Sequence, residues 1–180
     1  MKLLIRILIQ FFGLIFLVLT NMASAYLLPA PFSKINLVLA VLIVWMLWRG
    51  SGFIIWWMFF ASFIVELYST SPFGVILSSS TLAMLFGYWF YRHIFTNRSW
   101  YAAIILTLVI ICFYRLGYTL ILVALSILGT VSLVPWKLIF ITSIWEILFT
   151  TSTVALFYII LSHLSRHLRT SVVEAQYFKV

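Results

Sequence analysis

Apolar residues run along this chain in six long blocks, parted by short clusters of proline, glycine, asparagine or basic residues. The blocks are Leu3 to about Ala25, about Phe32 to Trp48, Phe53 to Tyr68, Phe73 to Tyr91, Trp100 to Leu128 and Val134 to Leu164, which leaves 165–180 as a tail. A helix crosses the hydrocarbon of a bilayer in about 20 apolar residues, because backbone groups must bond internally where there is no water. The pattern therefore predicts an all-α, polytopic integral membrane protein with six transmembrane helices in a single domain. The breaks have the expected chemistry: Pro29 and Pro31, Gly50 and Gly52, Pro72 and Gly74, and Asn97 interrupt helices or favour turns. The fifth and sixth blocks are long for one crossing and too short for two, so they should tilt or protrude.

Composition supports a lipid solvent. Of 180 residues, 66% are hydrophobic and 8% charged, whereas soluble domains carry about a quarter charged residues. The single cysteine, Cys112, excludes a disulfide framework and any multi-cysteine metal site. Eleven Lys and Arg against three acids would suit nucleic acid, but here they punctuate apolar runs singly and form no patch. No nucleic-acid partner is expected; the bilayer is.

Basic residues also set an orientation. With the N-terminus inside, Lys2, Arg6, Arg49, Arg92, Arg98, Arg166, Arg169 and Lys179 are cytoplasmic and only Lys34 and Lys137 are outside, eight against two. Arg115 falls within a helix. Trp45, Trp48, Trp56, Trp57, Trp89 and Trp100 flank the inner boundaries, while Tyr26, Tyr68 and Trp136 flank the outer ones, as interfacial belts do. Both termini and the 165–180 tail are thus expected in the cytoplasm. An alternative at the start is a cleavable signal peptide, with Lys2 and Arg6 ahead of an apolar run and Ala23-Ser24-Ala25. Cleavage would leave five helices and would not invert the others.

Three ionisable residues enter the membrane: Glu66, Arg115 and Glu146. At about 1.5 Å per helical residue, Glu66 and Arg115 stand roughly 25 Å above the inner boundary and Glu146 roughly 30 Å. The expectation is an arginine flanked by two carboxylates at one depth, between helices three, five and six. Tyr68, Tyr114 and Tyr118 are near in sequence and available to complete the bonding. Such a cluster is either a polar site (a ligand pocket, a proton path or a subunit contact) or a buried tie that orients helices. On helix four, Ser79, Ala83 and Gly87 recur every four residues as a face of small side chains. That face allows close helix approach, either within the bundle or against a partner.

Catalytic chemistry is sparse. Ser78-Ser79-Ser80 has no base at its depth and reads as packing. His163 and His167 have a metal-compatible spacing but no third ligand, and with Arg166 and Arg169 they read as a basic helix end. His93 beside Arg92 reads likewise, and Cys112 as a small apolar core residue. No cofactor, metal or enzymatic activity is expected.

The stretch Ala61-Ser62-Phe63-Ile64-Val65-Glu66-Leu67-Tyr68-Ser69-Thr70-Ser71-Pro72-Phe73-Gly74 resembles the signature of the MreD family of bacterial rod shape-determining proteins. That pattern sets an acid and a leucine (Glu66, Leu67) at the end of helix three and a proline and glycine (Pro72, Gly74) at the opening of helix four. The family usually has aspartate where Glu66 stands, glycine near Ala61 and leucine at Phe73. The resemblance implies a non-catalytic component of the cell-elongation machinery in the bacterial inner membrane, working in peptidoglycan synthesis. It implies association with a bitopic MreC-like protein, an actin-like filament and wall synthases. It also implies a fold similar to the six-helix S-component subunits of ECF (energy-coupling-factor) vitamin transporters.

A rival reading is a transport subunit binding a small solute around Glu66, Arg115 and Glu146. Subunits of that kind dock through small-residue repeats in their first helix, whereas helix one here is bulky, with Gly13 alone in its middle.

Overall fold

A computed structural model describes residues 2–94, 100–129 and 136–177, with side chains described for 8–94, 100–129 and 136–163. Among the described residues there are six α-helices: α1 (Lys2–Leu27), α2 (Leu37–Arg49), α3 (Ile54–Leu67), α4 (Val75–Ile94), α5 (Trp100–Ile127) and α6 (Trp136–Tyr177), with a 3-10 turn at Phe32–Lys34 before α2. The helices α2 to α6 pack in chain order and close through α6 onto α2, while α1 lies against α2 and α3. The most extensive of these contacts is between α4 and α5.

Three helical stretches are long and apolar enough to cross a membrane: Leu8–Leu27, Trp100–Ile127 and Trp136–His163. The short helices differ. With 13 and 14 residues, α2 and α3 rise only about 20 Å at 1.5 Å per residue, less than the ~30 Å of a hydrocarbon core. The second apolar block is also shorter than its hydropathy suggests. Phe32–Lys34 forms the 3-10 turn, and Asn36 starts α2 by accepting a hydrogen bond from the Leu39 N–H on its side chain. The opposite happens at the far end, where α6 runs past Leu164 to Tyr177. Residues 165–177 contain neither proline nor glycine, so the fall in hydropathy there does not end the helix.

The core is centred on α2. Leu39, Leu42, Ile43 and Met46 are fully enclosed, together with Met84 of α4 and Leu106, Ile110 and Ile111 of α5. The outer surface is apolar as well: Phe12 and Phe16 of α1, Leu120 of α5 and Phe140 of α6 are each more than 60% exposed. A bundle with apolar residues both inside and outside is suited to lipid and not to water.

Two expectations change at this level. Cys112 is exposed: the buried face of α5 runs through Ala103, Leu106, Thr107, Ile110, Ile111 and Tyr114, and position 112 lies off that face. Trp57 is buried in the core and stacks on Trp45 with ring centroids 6.2 Å apart, so it does not belong to an interfacial belt. The small face of α4 turns inward. Ser79, Ala83 and Gly87 are all buried, and a Cβ added at Gly87 would lie 2.3 Å from Cγ1 of Ile110. The face serves packing of α4 on α5. Arg98 and Asn97, and the side chains of Lys2, Arg6, Arg166, His167, Arg169 and Lys179, lie outside the described set.

Candidate polar site

Glu146 lies about a quarter of the way along α6 and is buried. Its carboxylate forms an ion pair with the Arg115 guanidinium of α5. The other oxygen, Oε1, accepts from Asn36 Nδ2 at 3.1 Å. Arg115 is held from its own helix: its guanidinium carbon stands 5.7 Å from the Tyr114 ring centroid and 5.9 Å from that of Tyr118. Two aromatic faces and one carboxylate thus offset a charge that apolar surroundings disfavour.

Glu66 does not complete the expected triad. Among the described residues Arg115 pairs with Glu146 alone, while Glu66 Oε1 accepts from the Ile76 N–H at 3.0 Å. The first N–H groups of a helix lack intrahelical acceptors and carry partial positive charge. Glu66, at the end of α3, therefore closes the start of α4. Its neighbours serve the same corner. Val75 N–H donates to the Pro72 carbonyl, and Gly74 has φ of 96°, a left-handed conformation that glycine adopts without steric cost. Leu67 is exposed, as is Tyr68, which caps α3 through its backbone and contributes nothing to the ion pair.

Two polar residues of this region went unread in the sequence, Asn36 and Asn21. Asn36 bonds Leu39 N–H through Oδ1 (3.1 Å), Glu146 through Nδ2 and Thr150 Oγ1 through its backbone N–H (3.1 Å). Asn21, on α1, accepts from the Leu37 N–H at 2.8 Å. Asparagine directly before an apolar run is a capping signal, so Asn36 was readable. Asn21, inside an apolar block, gave no such sign.

The serine run behaves as packing chemistry. Ser78, Ser79 and Thr81 hydroxyls donate to carbonyls four residues back, and Ser80 meets Ser62 of α3 with Oγ atoms 2.6 Å apart. His93 contacts the Trp89 carbonyl at 2.9 Å, and His163 is exposed on α6, which continues beyond it. Comparison with family models, curated proteins and solved structures gave no match.

Proposed function

We propose that the protein is a non-catalytic, MreD-like component of the bacterial cell-elongation machinery, holding wall-synthesis partners through helix faces in the inner membrane. The observation that carries this reading is the α3–α4 corner. Three of the four residues of the resemblance, Glu66, Pro72 and Gly74, act there as one unit: an acid bonded to Ile76 N–H, a carbonyl acceptor for Val75, and a positive-φ glycine; the fourth, Leu67, is exposed. A motif of so few residues gains weight when three of its members share one turn. In this reading all six helices traverse the bilayer, both termini are cytoplasmic by the eight-to-two basic bias, and the long apolar surfaces of α1, α5 and α6 are free for partners such as an MreC-like single-span protein. Likeness to ECF S-components follows only from the resemblance to the MreD family.

Depletion in the host with site-directed photocrosslinking from α1, α5 and α6 tests the proposal. Rounded cells and crosslinks to a wall-synthesis protein are expected. Normal cell shape with lost uptake of one nutrient would refute it in favour of a transport subunit.

A further inference from the structure

Between the helices lies a small cavity of about 70 Å³. Its polar wall is drawn from different segments: Asn21 of α1, Asn36 at the head of α2, Ser62 of α3, Ser80 of α4 and Tyr114 of α5. A site for one water needs about 10–15 Å³ by the same measure, so the space has room for an ion with a few waters.

The hydrogen bonds around it favour acceptors. Asn21 and Asn36 each receive one backbone N–H on Oδ1, and an amide oxygen keeps a second lone pair. Ser62 Oγ lies 2.7 Å from the Met58 carbonyl and Ser80 Oγ 3.3 Å from the Leu77 carbonyl; the shorter bond takes the Ser62 proton, and Ser80 then donates in the 2.6 Å contact between the two hydroxyls. With that proton committed, the Ser80 oxygen retains its lone pairs. Hard oxygens with their protons turned elsewhere are ligands for a hard cation.

Charge counting points the same way. Arg115 and Glu146 neutralise each other, which leaves Glu66, only 3% exposed, as the remaining charge of the three. Its Oε1 is bonded to Ile76, a residue of the cavity wall, while Oε2 has no hydrogen-bond partner among the described residues. The start of α4 supplies at most about half a positive charge. A single negative charge is therefore incompletely matched, and Ile76 links it to a space lined by these oxygens together with the apolar Val38, Met58, Val65 and Ile76. Among the described residues no group of three or more His, Cys, Asp or Glu exists to hold a metal, so the charge available suits a monovalent ion.

We propose that this cavity binds one small monovalent cation of sodium size on the oxygens of Ser62, Ser80, Asn21 and Asn36, with Glu66 as its counter-charge. The site stands independently of the proposed role in cell elongation. Binding would brace four helical segments at one point and make bundle stability depend on cation concentration.

The test uses the purified full-length chain in detergent. Equilibrium uptake of radioactive sodium should saturate near one ion per chain, and the melting temperature should rise in sodium chloride relative to choline chloride of equal ionic strength. Ser80→Ala should weaken uptake at least tenfold. Glu66→Gln should abolish it, yet keep its helical circular dichroism because the amide oxygen still accepts from Ile76. Absence of saturable uptake by the unaltered protein overturns the proposal, as does identical melting in the two salts. Stability that follows pH and ignores sodium also overturns it, and would mean that a proton meets the charge. If Glu66→Gln does not fold, unchanged uptake by Ser80→Ala still overturns the oxygen site.

Discussion

Asn36 Nδ2 donates to Glu146 Oε1 across 3.1 Å, joining the first residue before α2 to the interior of α6. The same side chain opens α2 at Leu39, and the backbone N–H of Asn36 fixes Thr150 one turn further along α6. With Oε1 anchored by Asn36, the second carboxylate oxygen of Glu146 faces Arg115 on α5. The start of one helix, the register of a second and the ion pair to a third are thus set by one small amide.

Replacing Asn36 should separate these contributions. Asn36→Ala loses a helix cap, about 1 kcal/mol, and a bond to a charged group, about 1.5–3 kcal/mol. Asn36→Ser keeps a capping oxygen and loses only the reach to Glu146. Thermal unfolding in detergent should rank the native chain above Asn36→Ser and that above Asn36→Ala. Equal melting of the two variants would remove the capping role.

The ion pair makes a second, stronger prediction. Removing one member of a buried pair leaves the other charge uncompensated, at a cost of about 3–5 kcal/mol. Arg115→Leu and Glu146→Leu should each destabilise severely, and the double variant should recover much of the loss. Coupling between Arg115 and Glu66 should be small, because Glu66 is bonded to Ile76. A double-mutant cycle on both pairs checks this; coupling to Glu66 as large as to Glu146 would contradict the observed pairing.

How much of this was legible in the sequence depends on the kind of signal. The order of the six helices followed from apolar blocks and their Pro and Gly breaks. Helix limits followed less well: hydropathy merged Phe32–Lys34 with α2, where Asn36 begins the helix, and stopped α6 at Leu164, where only the apolar character ends. The choice of partner for a charge was not legible. Glu66 and Glu146 were placed at similar depth to Arg115, but depth does not say which way a side chain turns. Glu66 turns to the open N–H groups of α4, which compete with a guanidinium for the same oxygen. Cys112 shows the same limit on α5, where helix phase decides burial and every neighbour is apolar.

Gly87 offers a test of the α4–α5 packing. A Cβ there would stand 2.3 Å from Cγ1 and 2.5 Å from Cδ1 of Ile110, a fully enclosed and β-branched side chain with little rotamer freedom. Gly87→Ala should therefore destabilise by about 1–3 kcal/mol through overpacking. Adding Ile110→Ala makes room, so the double variant should melt higher than the sum of the single changes allows. If Gly87→Ala melts like the native chain, the close approach of the two helices is wrong.

The helices α2, α3 and α4 fall outside the set that is long and apolar enough to cross, and α2 and α3, with 13 and 14 residues, rise only about 20 Å. Two such helices either each traverse a locally thinned bilayer, at a modest cost per ångström of mismatch, or dip in and return on one side. The positions to probe are Ser51, exposed between α2 and α3, and Thr70, exposed between α3 and α4. Because Cys112 is the single native cysteine, Cys112→Ala gives a clean background for Ser51→Cys and Thr70→Cys. With six crossings, an impermeant maleimide added to intact spheroplasts should label Thr70→Cys at once and Ser51→Cys only after the membrane is broken. Labelling of both from outside, or of neither, would mean that α3 does not cross, and the six-span arrangement would give way to one with fewer crossings.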